Sequence, residues 1–243
     1  PTEDSGTGIS SWTQHYQDQD LDIHIFSAFY ADRISGQSKI RVIALISGDL
    51  SLIVCIAHSS TQSRVLPLTY RVVSVFGVTY PSVLITCDYN NTWGEPQFVN
   101  IAGQNETLRQ SYGGQTPVTL IKKRRGFAGP SIANCYQPIH GNNSIFYHLY
   151  FHIELMKLFG FDKFIVYYDR DMVSSEYNTL LDHYIEEGTV IPVAWKLFYY
   201  PQHYRDKINV WGQDSQIADC TLRFMNDFDY IFSLDFDEFA IPK

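Results

Sequence analysis

The chain lacks any long apolar run. Nothing in its 243 residues approaches the ~18 to 20 consecutive apolar positions that a bilayer-spanning helix needs, and no stretch joins a basic front to a small-residue end as a secretion signal does. Membrane association is therefore expected only through a segment outside these residues, and a sequence running from Pro1 to Lys243 reads as part of a longer protein. It is also short of positive charge. Lys and Arg number 18 against 26 Asp and Glu, a net charge of −8, so a binder of nucleic-acid phosphates would have to gather its cations in one place. Only Lys122-Lys123-Arg124-Arg125 does so, and without an amphipathic helix around it that run reads as a solvated loop. Nucleic acid is not an expected partner. Cysteine is scarce as well: Cys55, Cys87, Cys135 and Cys220 lie far apart with no C-x-x-C pair, which argues against sulfur-ligated metal and against a redox motif. Whether Cys135 and Cys220 pair or sit buried as thiols stays open.

What is present is a foldable, aromatic-rich chain. With 45% hydrophobic and 15% aromatic residues it can bury a core of one large or two small domains. Three N-x-[ST] sequons, Asn90-Asn91-Thr92, Asn105-Glu106-Thr107 and Asn142-Asn143-Ser144, together with an even cysteine count, lean towards an oxidising lumen. Residues 1–38 are polar and irregular and read as a flexible lead-in with at most a short strand at 23–29. Residues 39–134 read as a β-rich region. Its runs at 40–47, 51–58, 69–78 and 83–87 are rich in Val, Ile and Tyr, and Ser47-Gly48-Asp49-Leu50 is the expected turn between the first two. A looser stretch at 90–115 and a short strand near 118–121 follow.

After Pro138-Ile139-His140-Gly141 the pattern changes to α-β-α-β-α-β. Helices are expected at 144–159, closed by Gly160, at 174–187, closed by Gly188, and at 213–226; strands are expected at 164–168, 189–195 and 230–234. That order implies a parallel sheet with crossover helices, whose ligands gather beyond the carboxyl ends of the strands, where Asp169 and Asp235 sit. The last strand runs into Asp235-Phe236-Asp237-Glu238. On an extended chain Asp235 and Asp237 would share one face and Phe236 would take the other. Two such carboxylates repel unless a cation lies between them, and hard oxygen ligands suit manganese or magnesium beside a diphosphate.

An ordered series of motifs carries a resemblance. Cys135-Tyr136-Gln137-Pro138-Ile139-His140-Gly141, Glu154-Leu155-Met156-Lys157-Leu158-Phe159-Gly160, Phe164-Ile165-Val166-Tyr167-Tyr168-Asp169, Gly188-Thr189-Val190, Gln213, Asp219-Cys220 and Leu234-Asp235-Phe236-Asp237-Glu238-Phe239 with Pro242 resemble glycosyltransferase family 92. The resemblance implies an α/β GT-A-like nucleotide-sugar fold over 135–243, Rossmann-like in its sheet, truncated at its C-terminal side and preceded by the β-rich region. It implies a D-x-D at Asp235 and Asp237 for Mn2+ or Mg2+, with Asp235 also facing the donor. Tyr168 and Asp169 are implied as nucleotide contacts. It further implies UDP-galactose as donor, an N-glycan or other glycoprotein acceptor, inversion at the anomeric carbon, and a Golgi or secretory-lumen enzyme held as a type II membrane protein. Phe236 departs from the small aliphatic residue usual between the two aspartates. No catalytic base is assigned, since in such folds it is expected after the D-x-D, beyond Lys243.

Weaker features have plainer readings. His148 and His152, four apart on one helix, lack the carboxylate of a zinc-protease motif and are expected to pack or cap. Trp195, Trp211 and Phe198-Tyr199-Tyr200 are expected in the core rather than on sugar rings. Asp214 reads as a helix-start acid, and Glu238 as an orienter of the metal site or a cap of its turn. A non-catalytic glycan-binding or structural domain is the main rival. A metal-dependent phosphotransferase or hydrolase, which would need a Lys and a Ser or Thr partner for its aspartates, is a weaker one.

Overall fold

Leu21, Ile23 and Ile25 recur at every second residue, the period of an extended strand with one face turned inward. They open β2 (Leu21–Ala31). The computed structural model describes residues 14–17, 19–31, 38–74, 77–104, 116–120, 131–140, 146–197 and 207–241. The basic run at 122–125, the aromatic cluster at 198–200, the sequons starting at Asn105 and Asn142, and the motif residues Gly141 and Pro242 lie outside them.

The chain forms two compact units. The first contains β1 (Gln14–Gln17), β2, β3 (Ser38–Gly48), β4 (Ile53–His58), β5 (Ser63–Leu66), β6 (Leu68–Val72), β7 (Ser82–Tyr89), β8 (Phe98–Gly103) and β9 (Thr116–Leu120). They lie in the order β5-β4-β8-β9-β2-β3-β7-β6, with β1 paired to β2. Every pairing is antiparallel except β2 with β9. The two ends of that order, β5 and β6, are separated along the chain by Pro67 alone, so the sheet curls back on itself. Its inward residues, among them Ile23 and Ile25 of β2, Val42 and Ala44 of β3, Cys55 of β4, Ile85 of β7 and Ile101 of β8, share one buried core. A disulfide joins Cys55 to Cys87 inside that core, and none of the four cysteines is a free thiol.

Several sequence expectations change here. Residues 21–31, where a short strand at 23–29 within a flexible lead-in was expected, form a longer strand flanked on both sides, because their alternation feeds the core although the flanking segments are polar. The turn at 47–50 does not make a hairpin: β3 pairs with β2 and β7, and β4 with β5 and β8. Gly48 permits this parting. Its φ is +115°, and a Cβ there would stand 2.0 Å from the Asp20 carbonyl oxygen. The stretch at 90–115, expected to be loose, contains β8, whose Val99 and Ile101 are fully buried.

Helix α3 (Gln213–Phe224) was expected as a crossover helix of the parallel sheet, and this too is corrected. It belongs with the β-rich unit. Leu222 packs with Phe29 of β2 and Ile43 of β3, and Ser215 Oγ donates to Ser82 Oγ of β7 at 2.9 Å. Buried Asp219 accepts from Ser27 Oγ at 2.5 Å and from Arg223 Nε and Nη2 at 2.8 Å each.

The second unit holds β10 (Ile132–Cys135), α1 (Phe146–Leu158), β11 (Lys163–Tyr168), α2 (Ser175–Glu186), β12 (Val190–Ala194) and β13 (Tyr230–Phe232). The order is β12-β11-β10-β13 and all three pairings are parallel, the α/β arrangement that the alternation implied. Leu149, Ile153 and Met156 of α1 and Tyr177, Leu181 and Tyr184 of α2 share a core with Phe164, Val166 and Tyr168 of β11. Ser174 caps α2 by accepting from the Tyr177 amide, and α1 and α2 each give way to glycine within two residues, at Gly160 and Gly188. Among the described residues no helix is long and apolar enough to cross a membrane.

Candidate functional site

From β10 the chain steps to β11 and then β12 on one side, and later returns to lay β13 on the other side of β10. Strands that diverge in this way leave a crevice beyond their carboxyl ends, the place where open α/β sheets take ligands. Asp235 and Asp237 follow β13 at that end.

The two aspartates sit on a turn, not on the extended strand expected of them. β13 stops at Phe232, and the Glu238 amide donates to the Asp235 carbonyl at 3.1 Å while the Asp235 amide donates to Glu238 Oε2, also at 3.1 Å. Glu238 thus closes the turn from both ends, its backbone and its carboxylate competing successfully with strand extension. Phe236 nevertheless turns inward. Its ring, half-buried, lies 4.9 Å from that of Tyr136 and packs on the core below.

Two side chains hold this turn by hydrogen bonds, neither of them marked as functional in the sequence. Asn134, fully buried on β10, accepts from the Leu234 amide at 2.9 Å and donates to the Leu234 carbonyl at 3.2 Å, so a side chain prolongs the β10–β13 pairing to the residue before Asp235. His152 of α1 holds the other end through the Glu238 carbonyl at 2.7 Å. A carbonyl can only accept, so Nε2 carries the proton and Nδ1 accepts from the Tyr136 hydroxyl at 2.6 Å. Burial lowers the pKa of His152 below its ordinary 6.5, against the pull of the Glu238 carbonyl and of Asp237, which keeps the ring neutral as both bonds require. Both ring nitrogens of His152 are engaged, while His148 is exposed on the same helix. A polar residue inside the apolar run Ile132-Ala133-Asn134-Cys135 was the one signal that could have exposed the role of Asn134.

Electrostatics at the turn favours a cation. Burial first, then the charges of Glu238 and Asp237, raise the Asp235 carboxyl above its ordinary value. Asp235 is half-buried, Asp237 and Glu238 are exposed, and among the described residues no basic side chain pairs with either aspartate. The arrangement fits a divalent ion with most of its ligands supplied from outside the protein.

At the end of β11, Asp169 is buried and its carboxylate accepts from the Asp171 amide at 3.1 Å, bending the chain away from the strand. Tyr168 is buried in the α/β core, and burial raises its hydroxyl pKa against the neighbouring Arg170. Arg170 itself is bound in two-pronged fashion by Asp182. Trp195 is buried edge-on against Tyr167, a core role. Among the described residues the one convergent group of three or more His, Cys, Asp or Glu side chains is His15, Asp22 and His24, on the β-rich unit and far in sequence from the turn.

A parallel sheet with a strand-order reversal and an acidic turn at its carboxyl edge defines an open α/β ligand-binding domain. Residues 131–243, somewhat under half of the chain, match glycosyltransferase family 92, and this part of the chain is a domain of that family. No curated protein matches the chain. Family membership supports glycosyl-transfer chemistry in general terms.

Proposed function

We propose that residues 131–243 are the donor-binding part of a GT-A-type, metal-dependent glycosyltransferase that moves a hexose, galactose from UDP-galactose, onto a glycan acceptor such as an N-glycan. The observation that carries this reading is the Asp235–Asp237 turn at the strand-order reversal, where two aspartates with no basic partner among the described residues are braced by Asn134 and His152. Asp235 and Asp237 would hold Mn2+ or Mg2+. When bound, that ion neutralises the charge that gathers on the diphosphate as the sugar departs. Asp235, partly desolvated, has most to gain from a cation, because burial and its acidic neighbours all oppose its ionisation in the free protein. Glu238 spends its carboxylate on the Asp235 amide and acts as the orienter of the turn. Asp169 and Tyr168 are the proposed nucleotide contacts at the end of β11, Tyr168 through its position in the chain, since its ring is committed to the core.

Galactose, inversion and the N-glycan acceptor rest on the family resemblance. A Golgi or secretory-lumen setting and type II topology rest on it too, and the lumen gains support from the sequons and from the absence of a free cysteine. Calorimetric titration of UDP-galactose into the chain, with and without Mn2+, tests the reading. Binding should require the metal and weaken by about 100-fold or more in Asp235→Ala/Asp237→Ala. Metal-independent binding, or equal binding by the double variant, would overturn the assignment of the aspartates. Binding of another UDP-hexose in preference would overturn galactose alone.

A further inference from the structure

The antiparallel register of β1 and β2 sets His15 directly opposite His24, while Asp22 lies two residues before His24 on the same strand. Side chains two apart on a strand, and directly opposed across a pair, share one face of the sheet. All three groups therefore converge. His15 Nε2 lies 2.9 Å and His24 Nε2 3.0 Å from the same oxygen, Asp22 Oδ1, and the two imidazoles face each other with centroids 4.2 Å apart. The other oxygen of Asp22 is taken by Tyr80, whose hydroxyl donates to Oδ2 at 2.5 Å.

We propose that His15, Asp22 and His24 form a second metal site, for a Zn2+-like divalent ion, that ties β1 to the β-rich sheet. Donors around a tetrahedral zinc ion with bonds of about 2.0–2.1 Å sit about 3.3 Å apart, so separations of 2.9 and 3.0 Å need to open by only a few tenths of an ångström. The donor set is two imidazoles and one carboxylate, softer than the all-oxygen turn at Asp235 and Asp237, so the two sites differ in the ion they prefer. Tyr80 orients the carboxylate and leaves Oδ1 for the metal, the outer hydrogen bond that ligating carboxylates characteristically carry. The side chain of His24 is 6% exposed and that of Asp22 14%, against 53% for His15, so one flank of the site is open to water for the remaining position. Among the described residues β1 pairs with the sheet through β2 alone, which gives an ion bridging His15 to Asp22 and His24 a structural task.

The test is calorimetric titration of Zn2+ into the chelator-treated chain without nucleotide, with a melting curve for each sample. Wild-type protein should bind one Zn2+ per chain at this site and melt higher with the ion. His15→Ala, at an exposed position where folding is not at stake, should weaken that binding at least about 10-fold and abolish the thermal gain, whereas Asp235→Ala/Asp237→Ala should leave both unchanged. Zinc binding by His15→Ala equal to wild type, its loss in the aspartate variant, or no zinc binding by folded wild-type protein would each overturn the proposal. None of these outcomes depends on the proposed donor site, which Mn2+ and UDP-galactose report separately.

Discussion

His152 ties the acidic turn to pH. Its folded pKa is lowered by burial, and its ordinary value is 6.5, so as pH falls below about 6.5 the unfolded chain takes up the proton first. The contribution of the neutral ring is complete above that value and is lost as pH drops towards the folded pKa. Protonation would also put a hydrogen on Nδ1, which must accept from Tyr136. His140, lowered mainly by burial, and His24, lowered by burial to about 4, add dependence of the same sign. Denaturant midpoints measured from about pH 7.5 to about pH 5 should therefore fall. They should fall less in His152→Gln, whose amide can still donate and accept without titrating. An unchanged pH slope in that variant would remove His152 from the account. The aspartates at 235 and 237 were readable from their types and spacing. Asn134 and Tyr136 were not, because a side chain that substitutes for a strand partner gives no periodic signal and finds its task only when residues 100 apart are brought together.

Among the elements, α1, α2, β11 and β12 matched the sequence expectation to within about two residues, since each carries its own periodicity and the helices carry their stops. β10 escaped notice. Four residues are too few for a pattern, yet this strand lies between β11 and β13 and creates the crevice. Helix α3 was recognised as a helix and assigned to the wrong sheet, because amphipathicity tells which face is buried and not what buries it. Its docking is held by Asp219, which meets Arg223 and Ser27 with no exposure to water. Asp219→Ala would leave the guanidinium of Arg223, itself only 10% exposed, without that partner. The expected cost is about 3–5 kcal/mol in a denaturant titration, against less than about 0.5 kcal/mol for Thr221→Ala on the exposed face. Equal midpoints for the two variants would mean that α3 is not anchored through this pair.

At the scale of the molecule, the Cys55–Cys87 disulfide links β4 to β7, each one strand in from an end of the sheet order. It therefore closes the curled sheet across its core rather than along a hydrogen-bonded pair. With a sequence separation of 32 between the cysteines, Cys55→Ala/Cys87→Ala should lower the stability of the β-rich unit by about 3–4 kcal/mol in a denaturant titration. A loss below about 1 kcal/mol would indicate that the unfolded chain is already compact at this loop. The two units differ in what stabilises them. The β-rich unit joins strands distant in sequence and carries this covalent closure, whereas β10, β11 and β12 of the α/β unit follow one another in consecutive strand–helix–strand steps.

The amino-acid sequence alone determined the α/β class of the second half of the chain and the place of its acidic residues directly after the last strand. Those follow from composition, periodicity and local spacing, which every short segment carries by itself. Tertiary structure alone decided that the aspartates ride on a turn, that α3 serves the β-rich unit, that β2 lies within the sheet rather than in a lead-in, and that His15 meets Asp22 and His24. Each depends on which distant strand supplies the partner. That choice is made by the burial of whole faces, a sum over many residues that no local window contains.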